Sequence, residues 1–241
     1  MPRVSVITTA YNCETFIEAS ITSILKQSFS DYEFIIINDG STDSTGKILS
    51  CFNDPRIIYS DYSENKGVML RSREAITKAT GEFIAISDGD DISMPNRLQT
   101  QVDFLHLKSS LFCVGSHAKK INVQGNFIGD WDFPPAKHEE VVNMLIYLHK
   151  CPIINPTSMF KTIDYHELGG YSPGDKYKGA HDLDFWCRAI LAGKKIENIQ
   201  ECLLKYRVNP EGMTRKHKLL QFSDHKQIML HFLKRIANVK R

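Results

Sequence analysis

The segment Phe83-Ile84-Ala85-Ile86-Ser87-Asp88-Gly89-Asp90-Asp91 decides how this chain reads. A short apolar run of strand length ends in three carboxylates within four positions, with one glycine between them. In an extended backbone alternate side chains share a face, so Asp88 and Asp90 are expected to point the same way. Anions crowded at a strand end repel unless a cation or strong donors sit among them. Hard oxygen ligands of this kind suit Mg²⁺ or Mn²⁺ carrying a phosphate. The same residues also make a solvated acidic turn, because Asp and Gly are common turn formers. The local sequence leaves both readings open.

Outward from this segment the first half alternates strand and helix signals. Apolar runs at 4–8, 34–38, 57–59, 83–87 and 112–116 have strand length. Between them Phe16, Ile17, Ile21, Ile24 and Leu25, and later Leu98, Val102 and Leu105, recur at helical spacing. Pro95 suits the first turn of the second of these helices. Such alternation predicts a mostly parallel sheet with helices on its faces, whose ligands bind at the carboxyl ends of the strands. Asp39 and the 88–91 carboxylates fall at such ends. After about residue 117 the pattern changes to short strand-like pieces punctuated by Gly and Pro, with a helix near 138–149. A second helix follows His181-Asp182 and stops at Gly193. Strand pieces at 196–199 and 203–208 and a final helix near 216–237 complete the chain. The predicted division is 1–117 for donor binding, 118–215 for an acceptor-side catalytic lobe, and 216–241 for a basic amphipathic helix.

At 241 residues with 42% hydrophobic and 24% charged residues, the composition is that of a globular protein with a full core. No apolar run approaches the ~18 residues of a spanning helix, and a strand pattern begins at Val4, so neither a membrane span nor a signal peptide is expected. Six cysteines without Cys-x-x-Cys spacing read as reduced, packed thiols of a cytoplasmic protein. The net charge of +2 is unevenly placed: residues 205–241 hold ten Lys/Arg against Glu211 and Asp224, a local +8, and the rest carries −6.

Several short motifs stand in order along the chain. They are Thr8-Thr9-Ala10-Tyr11-Asn12, Asn38-Asp39-Gly40-Ser41-Thr42-Asp43, Asn65-Lys66-Gly67 and the Gly81–Asp91 segment. His181-Asp182 then precedes a helix bearing Arg188, and Tyr206-Arg207-Val208-Asn209 comes last. Together these residues, spanning about 3–215, resemble the family 2 inverting glycosyltransferases of the GT-A fold.

The resemblance implies a nucleotide-sugar donor, most simply a UDP-sugar, a divalent Mn²⁺ or Mg²⁺ ion, and an acceptor hydroxyl on a glycan or lipid-linked polysaccharide precursor. Thr8, Ala10, Tyr11, Asp39, Asp88 and Gly89 would bind the donor, with Asp90 as the metal ligand and Asp91 in support. Tyr11 can offer an aromatic face to a base, or can be an ordinary core or rim tyrosine. Asp39 can accept from a base N–H, which the family uses on uracil; it also suits a turn followed by a helix start. Thr42-Asp43-Ser44 reads as a cap for the next helix. Asp182 matches the family's general base, yet a carboxylate at a helix start is equally a cap. An active Asp182 should therefore lie near the acidic segment and not be bonded into its own helix. His181, Asn155, Arg207 and Asn209 are the remaining acceptor-side or supporting candidates.

Three positions depart from the family pattern. Asn209 stands where many relatives have His, and Asn155-Pro156-Thr157 replaces a common His-Pro-Thr. Arg71-Ser72-Arg73 replaces Arg-Asn or Leu-Asn; its arginines suit phosphate but are more commonly helix-surface charge. The C-terminal segment carries Leu219, Phe222, Met229, Leu233 and Ile236 among Lys, Arg and His. That stripe either packs on the catalytic domain or a second subunit, or lies on the inner face of an anionic membrane. A nucleotidyltransferase or a dinucleotide-dependent oxidoreductase is disfavoured by the lack of a Gly-rich loop after the first strand, and nothing points to a nucleic-acid partner. A non-catalytic nucleotide-sugar-binding subunit is the rival reading, favoured by the missing His at 209 and opposed by Asp88, Asp90 and Asp182.

Overall fold

A computed structural model describes residues 1–131, 134–173, 177–210, 212 and 218–239. Its centre is one sheet in the order β3-β2-β1-β4-β8-β6-β9-β5, with β7 paired to β6. The strands are β1 (Val4–Ala10), β2 (Tyr32–Asp39), β3 (Ile57–Tyr62), β4 (Phe83–Ile86), β5 (Ile92–Ser93), β6 (Leu111–Ile121), β7 (Phe127–Asp130), β8 (Met159–Lys161) and β9 (Lys195–Arg207). β1, β2, β3 and β4 pair in parallel, as do β6 and β9. β8 runs against both β4 and β6, so these two share a direction. The mostly parallel α/β sheet expected from the alternation is therefore present, with β5, β7 and β8 as the reversed strands.

The inner strands β1, β2 and β4 are buried along almost their whole length because helices cover both faces. On one face α1 (Ile17–Leu25) and α4 (Arg97–Leu107) pack Ile17, Ile21, Ile24, Leu98, Val102 and Leu105 against Val4, Val6, Phe34, Ile36 and Phe83. On the other, α3 (Val68–Thr77) and α7 (His181–Leu191) bring Met69, Ile76, Leu183, Phe185 and Trp186 against Ile7, Ile35, Ile84 and Phe160. α2 (Thr45–Ser50) follows β2; α5 (His138–Asn143) and α6 (Thr162–Glu167) lie in the second half; and α8 (Lys218–Val239) closes the described chain.

Several boundaries differ from the sequence reading. The helix near 138–149 is α5 followed by a π-helical turn, Met144–Leu148, that ends at His149 with φ 51°. The pieces at 196–199 and 203–208 are one strand, β9, whose register against β6 shifts where the pattern broke. β6 runs through the 117/118 division, so a single sheet joins the two portions on either side of it.

α8 packs through Ile228, Met229 and Phe232, with Leu233 and Ile236 half-buried, against the core that holds α7. Of the predicted stripe, Met229, Leu233 and Ile236 face that core, whereas Leu219 and Phe222 stand in solvent.

Candidate active site

The ends of β1, β4 and β9 and the start of α1 meet at the acidic segment. β4 ends at Ile86, and residues 88–91 form a turn in which the Asp91 N–H reaches the Asp88 carbonyl at 3.4 Å. The expected strand alternation of Asp88 and Asp90 therefore does not hold. The turn itself gathers Asp88, Asp90 and Asp91, with one carboxylate oxygen from each within 4.8 Å of the others. It is a turn, as one reading had it, but not a solvated one, since Asp91 is buried and Asp88 and Asp90 are half-buried.

The backbone of this turn is fixed from several sides. Thr8 Oγ1 donates to the Ser87 carbonyl at 2.8 Å, and Ser20 Oγ donates to that of Asp88 at 2.8 Å. Arg207 Nε donates to the Asp90 carbonyl at 2.8 Å, its backbone N–H donates to Asp91 Oδ1 at 2.7 Å, and its guanidinium stacks on Phe16. A Cβ on Gly89 would approach Ile17 Cδ1 to 3.1 Å and Cys13 Sγ to 3.2 Å, so the turn lies close against the start of α1.

Beneath it lies Arg97, fully buried, donating to Ser93 Oγ, Gln101 Oε1 and the Ile86 carbonyl. Gln101 in turn donates to the Thr157 carbonyl at 2.7 Å, linking α4 to the 3-10 turn Asn155–Thr157. Sequence reading missed Arg97. Its signal was polar Arg97 and Gln101 at i, i+4 spacing beside the apolar stripe Leu98, Val102 and Leu105 of the same helix.

Burial sets the charge state of the site. The Asp88 carboxyl is pushed up to about 7, first by desolvation, then by Asp90 and Asp182, with Arg97 opposing. Asp90 and Asp91 are also raised by desolvation, and Asp91 additionally by its two neighbours. Asp91 Oδ2 is buried without a hydrogen-bond partner among the described residues. Three crowded carboxylates and an orphaned oxygen fit a hard divalent cation, whose charge would offset the desolvation that chiefly raises these groups and the repulsion that adds to it at Asp88 and Asp91.

Asp182 lies one residue inside the start of α7, and its field reaches Asp88, Cys151, Tyr171 and Cys187. Its carboxylate makes no hydrogen bond among the described residues, so it does not cap its own helix. Asp184 is engaged instead, accepting from Ser172 Oγ and Arg188 Nε, while Arg188 also donates to the Leu168 and Gly170 carbonyls. His181 stands edge-on to Tyr171 with Nδ1 buried and unpartnered among the described residues. Asn155 Oδ1 is in the same condition. Asn209 follows the Arg207 anchor, its N–H donating to the Arg207 carbonyl at 3.1 Å.

At the end of β1 Ala10 is buried, and Tyr11, next in the chain, is exposed. Asp39 is buried at the end of β2: Oδ1 accepts from Lys66 N–H and Arg71 Nε, and Oδ2 from Gly67 N–H. Both oxygens of this buried carboxylate are thus engaged by the chain's own donors. Arg71 is not helix-surface charge. It is buried against Asp39, stacks on Tyr62 and donates to Glu74 and to the Glu64 carbonyl. Arg73 donates to the Gly169 and Tyr171 carbonyls, tying α3 to the loop before α7. Asp43 accepts the Thr45 N–H at 2.9 Å at the start of α2, the capping role expected of that segment.

Comparison with known proteins agrees with this geometry. The sequence profile of glycosyl transferase family 2 matches residues 5–161. The O-antigen biosynthesis glycosyltransferase WbnJ of Escherichia coli is 30% identical over 239 residues, covering 98% of this chain and 91% of WbnJ. The crystal structure of S. aureus TarS 1-349 in complex with UDP superposes with a TM-score of 0.70 at 24% identity, covering 97% of this chain and 71% of that one. The mannosyltransferase PcManGT from Pyrobaculum calidifontis, in complex with GDP-Man and Mn²⁺, gives 0.70 at 20% identity, covering 98% and 69%. At these identities the structural likeness is one of fold, that of the GT-A glycosyltransferases.

Proposed function

Because the chain belongs to glycosyltransferase family 2, we propose that it is an inverting, divalent-metal-dependent enzyme that moves a sugar from a UDP-sugar to a hydroxyl of a glycan or lipid-linked polysaccharide precursor. The observation that carries this reading is Asp182: a carboxylate unspent on its own helix, close enough to the acidic turn to raise Asp88.

In the reaction the acceptor oxygen attacks the sugar C1 as the bond from C1 to the diphosphate oxygen breaks. Asp182 takes the acceptor proton on the face opposite the leaving group, and the nucleoside diphosphate departs with the bonding pair. Asp90, with Asp88 and Asp91, would hold the metal, which when bound supplies charge to offset the developing negative diphosphate. Tyr11 offers a stacking face for the base, and Asp39, in the family's place for uracil recognition, fixes the 66–67 backbone. TarS binds UDP, and PcManGT binds GDP-Man with Mn²⁺; both are compatible with the reading, and WbnJ acts in O-antigen biosynthesis. The free carboxylate of Asp182 favours an enzyme over a non-catalytic binding subunit.

The test uses purified protein, Mn²⁺ and a panel of UDP- and GDP-sugars, read by nucleotide release and by thermal stabilisation. One donor class is expected to be hydrolysed slowly in the absence of acceptor. Asp182→Asn should lower that rate by roughly 10²- to 10⁴-fold while donor binding persists. Unchanged hydrolysis, or binding lost together with activity, overturns the base assignment.

A further inference from the structure

We propose that the outer face of α8, with the Tyr147–Leu148 turn beside it, is an interfacial anchor that lies on an anionic bilayer. This goes beyond the catalytic reading and does not depend on it. The inner face of the helix is spoken for: Ile228, Met229 and Phe232 are buried, and Asp224, 7% exposed, accepts the Gly179 N–H at 2.9 Å. The outer face is not. Leu219 is 87% exposed, Phe222 73% and Leu230 55%. His225 Nε2 meets the His149 carbonyl at 2.5 Å, which sets the turn carrying exposed Tyr147 and Leu148 against α8 one helical turn from Phe222.

Charge selects the occupant. Asp224 is the one acidic residue of the helix, and it is turned inward, so the exposed charges Lys218, Lys226, Lys234 and Arg235 are all positive. Basic side chains interleaved with Leu and Phe suit a surface offering both anionic headgroups and an apolar layer beneath. A nucleic acid would leave the leucines without a partner. A second copy presenting the same face would set lysines against lysines. Residues 218–239 carry a net +3 and all other residues together −1, so an anionic surface would attract this helix in preference to the body, which orients the protein. No helix among the described residues is long and apolar enough to cross a membrane, so the contact is one that lies on the surface.

The experiment is co-sedimentation of the full chain with phosphatidylcholine vesicles and with vesicles containing roughly a third phosphatidylglycerol. The intact protein should bind the anionic vesicles, release in high salt and ignore neutral ones. Leu219→Ser/Phe222→Ser/Leu230→Ser and, separately, Lys226→Glu/Lys234→Glu should each weaken binding roughly tenfold or more, with thermal unfolding unchanged because these side chains are exposed. Absence of binding by the intact protein, or equal binding by either variant, overturns the proposal. So does concentration-dependent dimerisation that the serine variant abolishes without any vesicle binding, which would make the occupant a second copy.

Discussion

The Arg71 guanidinium and the Asp39 carboxylate meet at 2.7 Å with 4% and 3% of their side chains exposed. The pair joins α3 to the end of β2, and the same carboxylate holds the Lys66 and Gly67 N–H groups. Gly40, at φ +69°, turns the chain directly under this loop, where a Cβ would lie 2.6 Å from Asn65 N. Removing one partner would strand the other charge in the interior. Arg71→Leu is therefore expected to lower stability by about 3–5 kcal/mol, measured by urea unfolding, and to weaken nucleotide-sugar binding in a calorimeter as the 64–67 loop loosens. A loss under ~1 kcal/mol, the range of a surface pair, would show that the site is open to water.

Asp88 gives a pH dependence whose sign is fixed. Its carboxyl ionises near 7 in the folded protein, against about 4 in an unfolded chain. The metal-free fold therefore binds a proton across that window that the unfolded chain has lost, so stability declines as pH rises from about 4 to 7. A cation must displace the same proton, so Mn²⁺ affinity should climb over that window and level off above it. Thermal unfolding at several pH values, with and without Mn²⁺, reads both trends. Asp88→Asn should raise the metal-free melting temperature at pH 7.5 by about 2–6 °C and shrink the Mn²⁺ increment. A metal-free melting temperature that is flat across the window would contradict the crowding of these carboxylates.

The strand ends were legible because a sheet covered on both faces leaves long apolar runs whose stops are conspicuous; β1, β2 and β4 and the polar residues after them were all placed this way. Asp182 at a helix start was legible too, although whether it capped that helix was a matter of side-chain geometry that no pattern encodes. Arg71 and Arg97 were not legible. Both are cations inside helices: Arg71 is buried against Asp39, distant in sequence, and Arg97 is buried because the chain folds back after the 88–91 turn, a bend that helical spacing does not encode. The stripe on α8 was visible as a period, but which of its members the body covers depends on how the helix lies against that body.

Arg97 is the countercharge beneath the acidic turn. Arg97→Met fills much of the same space without the cation, so Asp88 and Asp91 lose the charge that opposes their protonation. The variant should fold less stably, by about 3 kcal/mol, and should need a higher pH than the parent to reach the same Mn²⁺ affinity. Titrating Mn²⁺ at pH 6.5 and 8 separates the effects: a deficit that is equal at both values would mean general loosening of the site, not a shifted ionisation.

Asp224 reaches from α8 to the turn that begins α7. Its Oδ2 accepts the Gly179 N–H at 2.9 Å, and a Cβ on Gly179 would lie 2.8 Å from the Gln221 backbone nitrogen, so the two segments are in close contact. Gly179 stands three residues before Asp182, and the intervening Ala180 accepts the Asp184 N–H at 3.1 Å, which starts the helix. The C-terminal helix thereby positions the proposed base without touching substrate. Asp224→Ala removes the partner of a half-buried N–H, at a cost of about 1 kcal/mol, and should speed amide exchange across residues 177–184 while leaving the 83–93 segment unchanged. Nucleotide release should slow through kcat with little change in KM for the donor, and Asp224→Asn, which keeps an acceptor oxygen, should restore most of both. Faster exchange throughout the chain would mean that Asp224 serves only global stability. Unchanged exchange at 177–184 would mean that α7 holds its start without help from α8.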